Sequence, residues 1–473
     1  MQIGLFDKKS RKLLLFLSSY PAVPPDLRKD IWGEQSRTFV TSYSIAYLSY
    51  MFLKFLLKNV AICYTINEAQ YPKMPVHPAF IFIQYPRGGS IMKDDSIEVH
   101  GCHKYDATGA ISNPIYLSST YRHPGFRQST GYDYGRVSNP TRDRLEETVS
   151  LLERGERTWA LSSGMAAINL VMILFNTGDH VLLSEDLYGG TVRLAKDVYG
   201  HYGISFEYVD TTDPALVRSK LRPNTKAIFI ETPSNPMMFI SDIAALAELA
   251  HGNSAMLIVD NTFLSPHFQK PLELGADIVL HSGTKYLGGH NDVIAGFLTL
   301  KKRDTEIAKR LEVLVKSEGP NLGSMDAWLL LRSIKTLGIR VERQAENALK
   351  IAHWLKEQPQ VTQVYYPGLP DHPGYALQQR QASGNGGMVS FKVSSAELAQ
   401  AVLGRLQLIA FAESLGGVES LLTYPIAQTH AEMPKELTER TGLDDKLLRL
   451  SVGIEDAEDL MDDLQQALGK DIL

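Results

Sequence analysis

Residues 277–292 read D-I-V-L-H-S-G-T-K-Y-L-G-G-H-N-D, and what this stretch shares with four others upstream decides the fold. The apolar run 278–280 is short and ends in small polar residues that deliver Lys285, with Gly288 and Gly289 just behind. A lysine at the exit of a buried strand has no packing purpose, whereas a lysine in a surface turn is commonplace. The four related runs, 158–161, 181–183, 227–230 and 256–259, favour the strand. Each is continuous and bounded by turn residues, as parallel strands buried on both faces should be. Helical stretches separate them; within 241–251, Ile243, Leu246, Ala247 and Ala250 fall on one face. This alternation predicts an α/β fold, a mostly parallel central sheet with helices on both faces.

In such sheets ligands bind beyond the carboxyl ends of the strands. The first run is followed by S-S-G-M-A-A-I, where Gly164 turns the chain into an apolar helix expected over 165–175. Free N–H groups at that helix start suit a phosphate. The second run leads to Asp186-Leu187-Tyr188-Gly189-Gly190, the third to E-T-P-S-N-P at 231–236, the fourth to Asp260-Asn261-Thr262, the fifth to Ser282-Gly283-Thr284-Lys285. Singly, these are a capped helix, core packing at Tyr188 and an N-cap at Asp260. Together they set a phosphate cradle, a flat aromatic, a carboxylate and a lysine at one sheet edge. Pyridoxal 5'-phosphate needs that set: a lysine for its aldehyde, a carboxylate to keep its ring nitrogen protonated, and donors for its phosphate. No Gly-x-Gly-x-x-Gly turn follows the first strand, which counts against a nicotinamide dinucleotide.

The 473 residues suffice for two or three domains of ordinary composition. A net charge of -5 without a basic tract argues against nucleic acid. With cysteines only at Cys63 and Cys102, no disulfide framework or Cys-based metal cluster is expected, and no His-Glu-x-x-His pairing points to a metal. A cytoplasmic location is the default. Residues 1–91 differ from the rest, with 11 Lys and Arg against 5 Asp and Glu. Their apolar part, 41–64, is interrupted by Lys54 and Lys58, so neither a membrane span nor a signal peptide is expected. We expect 1–91 to be a non-native or disordered extension, with Met92 the natural start.

Residues 92–140 predict an N-terminal arm: from 113 onward the text is rich in Tyr, Arg, Gly and Pro without helical period, fit to pack on a neighbouring subunit. A helix follows from Thr141, with Leu145, Val149 and Leu152 on one face. The cofactor-binding domain is placed at 141–342 and a smaller α/β domain at 343–473. At 447–452, Arg449 and Ser451 share one strand face, with Leu448, Leu450 and Val452 on the other. An arginine so placed suits a carboxylate. Ala457, Leu460, Met461, Leu464 and Leu468 predict a closing amphipathic helix.

From about Gly109 onward the sequence resembles the transsulfuration enzymes of cysteine and methionine metabolism, fold-type I pyridoxal-phosphate proteins. The motifs are Y-D-Y-G-R-V-S-N-P-T-R at 132–142, S-S-G-M-A-A at 162–167, D-L-Y-G-G-T at 186–191, E-T-P-S-N-P at 231–236, V-D-N-T-F at 259–263, H-S-G-T-K-Y-L-G-G-H-N-D at 281–292 and A-E-S-L-G-G-V-E-S-L at 412–421. The resemblance implies that Lys285 forms the internal aldimine and shuttles protons, Asp260 pairs with the pyridinium nitrogen and Tyr188 stacks on the ring. It gives the phosphate to the backbone at Gly164 and Met165, the hydroxyls of Ser282 and Thr284, and Tyr134 and Arg136 of a neighbouring subunit. It thereby implies a homodimer, usually doubled into a tetramer. The substrate carboxylate falls to Arg449, Asn235 and the backbone near Ser414.

Within the family, Glu413 and the tail T-Y-P-I-A-Q-T-H-A-E-M-P at 423–434 resemble bacterial enzymes that make cystathionine from an O-acylhomoserine and cysteine, some also accepting sulfide. Arg193 could hold a distal carboxylate. These features also suit cystathionine β-lyases and γ-lyases, which stay open as alternatives, with a non-catalytic cofactor-binding relative more distant.

Overall fold

The computed structural model describes residues 92–102 and 108–469, which fall within one compact unit. The expected extension, 1–91, lies outside the described residues. The larger sheet comprises β1 (Arg157–Leu161), β2 (His180–Ser184), β3 (Ser205–Val209), β4 (Thr225–Glu231), β5 (Met256–Asp260), β6 (Ile278–Ser282) and β7 (Gly296–Leu300), in the order β1-β7-β6-β5-β4-β2-β3. The pairs among β2 to β6 are parallel, and β7 runs antiparallel to both β1 and β6. All five expected runs are therefore strands of one mostly parallel sheet.

Two strands of this sheet lie outside the five expected runs. In β3, S-F-E-Y-V, Phe206 and Tyr208 alternate with polar residues on a sheet edge and only Val209 is buried, so the continuous-run pattern passes over it. β7 follows β6 without a helix between them and reverses direction, which a repeating strand–helix unit does not contain.

Leu183, Phe229, Ile258 and Leu280 of one sheet face pack with helices Gly164–Met172 and Glu306–Glu318. Leu182, Ile228, Val259 and Val279 of the other meet helix Ile243–Gly252 through Ile243, Leu246, Ala247 and Ala250. Each large apolar side chain buried in this way contributes about 1.5–3 kcal/mol. Helix Gly164–Met172 ends three residues before the expected Phe175. There the N–H groups of Leu174 and Phe175 tighten onto the carbonyls of Val171 and Met172, ahead of the turn at Gly178 (φ +90°).

The second sheet holds β8 (Val361–Tyr365), β9 (Met388–Val393), β10 (Ala410–Phe411), β11 (Leu421–Thr423) and β12 (Leu447–Ser451), in the order β10-β11-β12-β9-β8. β12 is central, so Arg449 is an interior residue, 1% exposed. Helix Ala457–Leu468 closes this layer with Leu460, Leu464 and Leu468 buried and Met461 half-buried. Helix Leu337–Lys356 runs through the boundary placed at 342/343. Its first half packs in one core through Leu337 and Val341, its second half in the other through Ile351, Ala352 and Leu355.

Upstream, residues 113–139 contain no helix and one β-bridge, Thr120 to Tyr134. Among the described residues, no helix is long and apolar enough to cross a membrane.

Candidate active site

The sheet brings the loop residues together at the carboxyl ends of β1, β2, β4, β5 and β6. Ser163 caps helix Gly164–Met172 by accepting from the N–H of Ala166 (3.0 Å), and no hydrogen bond among the described residues occupies the N–H groups of Gly164 and Met165. Those two donors, with the helix dipole behind them, are available to an anion, the chemistry expected of a phosphate cradle. The cradle is shaped by β7: a Cβ on Gly296 would stand 2.0 Å from the Ser163 carbonyl oxygen. Ser282 lies against Gly164, whose own Cβ would meet the Ser282 side chain at 3.0 Å. Thr284 Oγ1 is engaged with the backbone of Ala295, accepting from its N–H (3.0 Å) and donating to its carbonyl (3.3 Å). The Tyr188 ring lies over Gly190 beside the sulfur of Met165, and its edge remains open to solvent.

Lys285 follows β6 through a tight turn and reaches across to the smaller sheet, donating from Nζ to Ser414 Oγ at 2.7 Å. Burial, reinforced by the Arg449 guanidinium and opposed by Glu413, pushes its amine down to about 8. A neutral, nucleophilic amine is therefore accessible near neutral pH.

Asp260 ends β5. Its Oδ1 accepts from the N–H (3.0 Å) and hydroxyl (2.5 Å) of Thr262, and Thr262 Oγ1 in turn accepts from the N–H of Ser282 (2.9 Å). One threonine thus ties the carboxylate to the strand that carries the lysine. On β4, the residue in register with Asp260 is Glu231, also buried, whose Oε2 accepts from the N–H of Tyr188 (3.0 Å). Burial, then the charge of Asp260, push the Glu231 carboxyl well above its usual range. Burial raises the Asp260 carboxyl as well, so both neighbouring carboxyls are pushed toward the neutral form.

Glu153, fully buried at the end of helix Pro140–Glu153, clamps the same two strand ends from behind. Its Oε1 lies 2.5 Å from His281 Nε2 on β6 and accepts from Asn261 Nδ2 (3.1 Å) just past β5.

Arg449 donates to Asn235 Oδ1 (2.7 Å), to the Ser414 carbonyl (3.1 Å) and to Thr423 Oγ1 (3.2 Å). All three acceptors are neutral, and Nε has no partner. A buried guanidinium so surrounded is matched to an arriving carboxylate. Ser451, on the same strand face, accepts from the N–H of Gly416 (2.8 Å). Asn235 is itself held by its carbonyl, 3.0 Å from His430 Nε2, and by Asp186, which accepts from Ser234 and from the N–H of Met237 (3.0 Å).

One helix grips three loops that follow Lys285, Ser414 and Arg449. From Leu337–Lys356, Arg340 donates to the carbonyl of Tyr286 (2.8 Å), Gln344 to that of Gly417 (2.7 Å) and Asn347 to that of Gly453 (3.2 Å).

Residues 95–469 match the family described as Cys/Met metabolism PLP-dependent enzyme. The chain belongs to this family. A cystathionine gamma-lyase of Bacillus subtilis (strain 168) is 51% identical over 378 residues, 80% of this chain and 99% of that one. Cystathionine beta-lyase MetC of the same organism is 47% identical over 371 residues, 78% of this chain and 95% of that one. A solved structure of cystathionine gamma synthase from Xanthomonas oryzae pv. oryzae, in complex with aminoacrylate and cysteine, aligns with TM-score 0.78 at 42% identity, covering 80% of this chain and 98% of that one.

The family's cofactor is pyridoxal 5'-phosphate, and the residues present fit it: two unclaimed N–H groups beside a serine hydroxyl, a depressed lysine, and a carboxylate whose Oδ1 is tied down, with no bond recorded to Oδ2.

Other family-implied residues lie apart. Arg136 stacks 5.6 Å from the Tyr134 ring and donates to the Lys316 carbonyl at the end of helix Glu306–Glu318; among the described residues, no hydrogen bond links either arm residue to Lys285, Asp260 or Arg449. Glu413 is exposed beside Ser414. Arg193 is paired with Glu432. Glu231, Glu153, His281 and His430 act through neighbours distant in sequence, which motif spacing does not reveal.

Proposed function

We propose that this chain is a cystathionine γ-synthase, joining an O-acylhomoserine to cysteine by γ-replacement. The observation that carries this reading is a pair of arginines, Arg449 buried in β12 and Arg193 at the rim. They are bridged by the segment that holds His430 against Asn235 and Glu432 against Arg193. Two carboxylate sites suit a reaction that deals in molecules with two amino-acid ends.

In this reading, Gly164, Met165 and Ser282, with Thr284, hold the cofactor phosphate, Asp260 faces the ring nitrogen and Tyr188 covers the ring. Bound there, pyridoxal phosphate draws electrons from the substrate's α-carbon. Arg449 and Asn235 fix the α-carboxylate, which turns the Cα–H bond toward Lys285. Lys285 Nζ takes the proton from Cα and then serves at Cβ, as γ-chemistry requires, while Ser414 Oγ steers it. Glu413 draws the ammonium group of the incoming cysteine.

The arm completes the site in a homo-oligomer, a dimer of dimers, with Tyr134 and Arg136 reaching a neighbour's phosphate. Exposed apolar groups on the arm, Phe126 at 90% and Leu117 at 73%, support such a partner.

A second reading, γ-cleavage of cystathionine, is favoured by the 51% identity to a chain named cystathionine gamma-lyase. Steady-state assays decide between them. Cystathionine formed from O-acylhomoserine and cysteine faster than it is cleaved is the expected result. Faster release of 2-oxobutyrate or pyruvate from cystathionine would replace the proposal with a lyase.

A further inference from the structure

We propose that Asp186 is a positioning residue: through Ser234 and Met237 it keeps Asn235 in place to meet the substrate α-carboxylate, and so governs how tightly an amino acid is held rather than how fast Lys285 moves its proton. The inference rests on the reading above, that Asn235 and Arg449 fix that carboxylate.

Asp186 stands just past β2 and is buried. One of its oxygens, Oδ2, accepts from Ser234 Oγ and from the N–H of Met237 (3.0 Å). Those donors bracket Asn235 in a loop that closes on itself. Phe239 donates its N–H to Ser234 Oγ (2.9 Å), Ser234 donates its N–H to the Phe239 carbonyl (3.0 Å), and Met238 N–H donates to the Ser234 carbonyl (3.2 Å). These bonds give the loop its shape but not its position. His430 Nε2 at the Asn235 carbonyl (3.0 Å) and Ser390 Oγ at the Pro236 carbonyl (2.7 Å) hold it to the C-terminal part of the chain, and Asp186 ties it to the larger sheet. Met238 has left-handed backbone, φ +62°. A methionine in that region is kept there by its surroundings, and Asp186 grips the N–H of the residue immediately before it.

The charge on Asp186 gives the tie its strength. Burial pushes the carboxyl up to about 6, with Ser234 and Met237 opposing, so it is ionised at neutral pH and both of its bonds to the loop are charge-assisted. An amide in its place keeps the shape but holds the loop with neutral bonds about half as strong. Asn235 Oδ1 accepts from Arg449 Nη1 (2.7 Å), so slack in the loop passes to the group that meets the carboxylate. The anchor of Lys285 is separate: Nζ donates to Ser414 Oγ, and the Ser414 carbonyl is held at Nη2 of the guanidinium rather than at Nη1. Affinity and rate are thereby divided between the two sides of one arginine.

The test uses holoenzyme in heavy water with L-alanine, which has no leaving group at Cβ, so the outcome does not depend on which thioether reaction the enzyme carries out. Exchange of the Cα hydrogen for deuterium gives two readings. The half-saturating concentration reports how tightly alanine is held, and the rate at saturation reports Lys285. Asp186→Asn is expected to raise the first by about three- to tenfold, the range one hydrogen bond spans, and to leave the second within about twofold. Asn235→Ala should raise the first by about ten- to a hundredfold, and adding Asp186→Asn to it should bring little further loss, because both act through one contact. Ser234→Ala breaks the same tie from the loop side and should repeat the Asp186→Asn result, which covers the case of an Asp186 variant that does not fold. A saturated rate that falls as far as the affinity, or losses that add in the double variant, would overturn the positioning role. A loss in Asn235→Ala with none in the Asp186 and Ser234 variants would overturn the proposal alone. No loss in Asn235→Ala would refute the carboxylate site, and the proposal with it.

Discussion

Lys285 donates to Ser414 Oγ at 2.7 Å, and Ser414 makes this contact from a left-handed backbone conformation, φ +88°. A non-glycine residue in that region is held there by its surroundings. Here the holders are the bonds made by its neighbours: its own carbonyl accepts from Arg449 (3.1 Å), and Gly416 N–H donates to Ser451 (2.8 Å).

Removing the Ser414 hydroxyl therefore separates steering from folding. Ser414→Ala is expected to lower kcat/KM by about tenfold to a hundredfold, the equivalent of one hydrogen bond to a charged group. Ser414→Gly loses the same hydroxyl yet relaxes the backbone, so it should match the alanine variant in kinetics and exceed it in Tm. Glycine melting below alanine would count against a strained position.

The amine of Lys285, pushed down to about 8, sets how cofactor-free protein captures pyridoxal phosphate. Only the neutral amine attacks the aldehyde, so the capture rate should rise with pH and level off above a midpoint near 8. Glu413 raises this value by its negative charge, so Glu413→Gln should move the midpoint down. Absorbance changes on mixing, followed from about pH 6 to 10, measure both. A midpoint unmoved or raised in Glu413→Gln would contradict the arrangement.

Glu231, buried beside Asp260 with its carboxyl pushed well above its usual range, gives one oxygen to Tyr188 N–H. Glu231→Gln keeps shape and acceptor without charge, and its unfolding free energy should stay within about 1 kcal/mol of the parent. Glu231→Ala leaves the Tyr188 donor without a partner and should cost about 1–3 kcal/mol in urea unfolding. Equal losses in both would show that the charged form matters.

Glu153 is the buried clamp behind β5 and β6, and its loss strands His281 and Asn261 together. Glu153→Ala is expected to destabilise by about 1–3 kcal/mol for each of the two stranded hydrogen-bonding groups. It should also weaken cofactor affinity, since Asp260 and Lys285 lose their fixed spacing. Urea melts and cofactor titration by fluorescence quenching check the two effects separately.

Much of this arrangement was legible in the chain. Lys285, Asp260, Tyr188 and Gly164 all stand just past short apolar runs, and the rule that ligands gather at strand ends finds them without knowing strand order. What stayed hidden depends on register and on distant contacts. Glu231 acquires its role only because β4 lies beside β5 with Glu231 opposite Asp260. His281 meets Glu153 across 128 residues, and Arg193 meets Glu432 across 239. Linear spacing contains neither relation. β3 was passed over because an edge strand need not be apolar on both faces, and β7 because it turns back directly from β6.

The helix Leu337–Lys356 has a final implication. Arg340, Gln344 and Asn347 succeed one another at helical spacing, and each fixes the carbonyl of a loop next to Lys285, Ser414 or Arg449. Lys285, Ser414 and Arg449 thus take their relative heights from the pitch of a single rod. One residue inserted between Arg340 and Gln344 would turn everything beyond it by about 100° and shift it by about 1.5 Å. Two of the three grips would be displaced relative to the first, although Lys285, Ser414 and Arg449 themselves had not been altered.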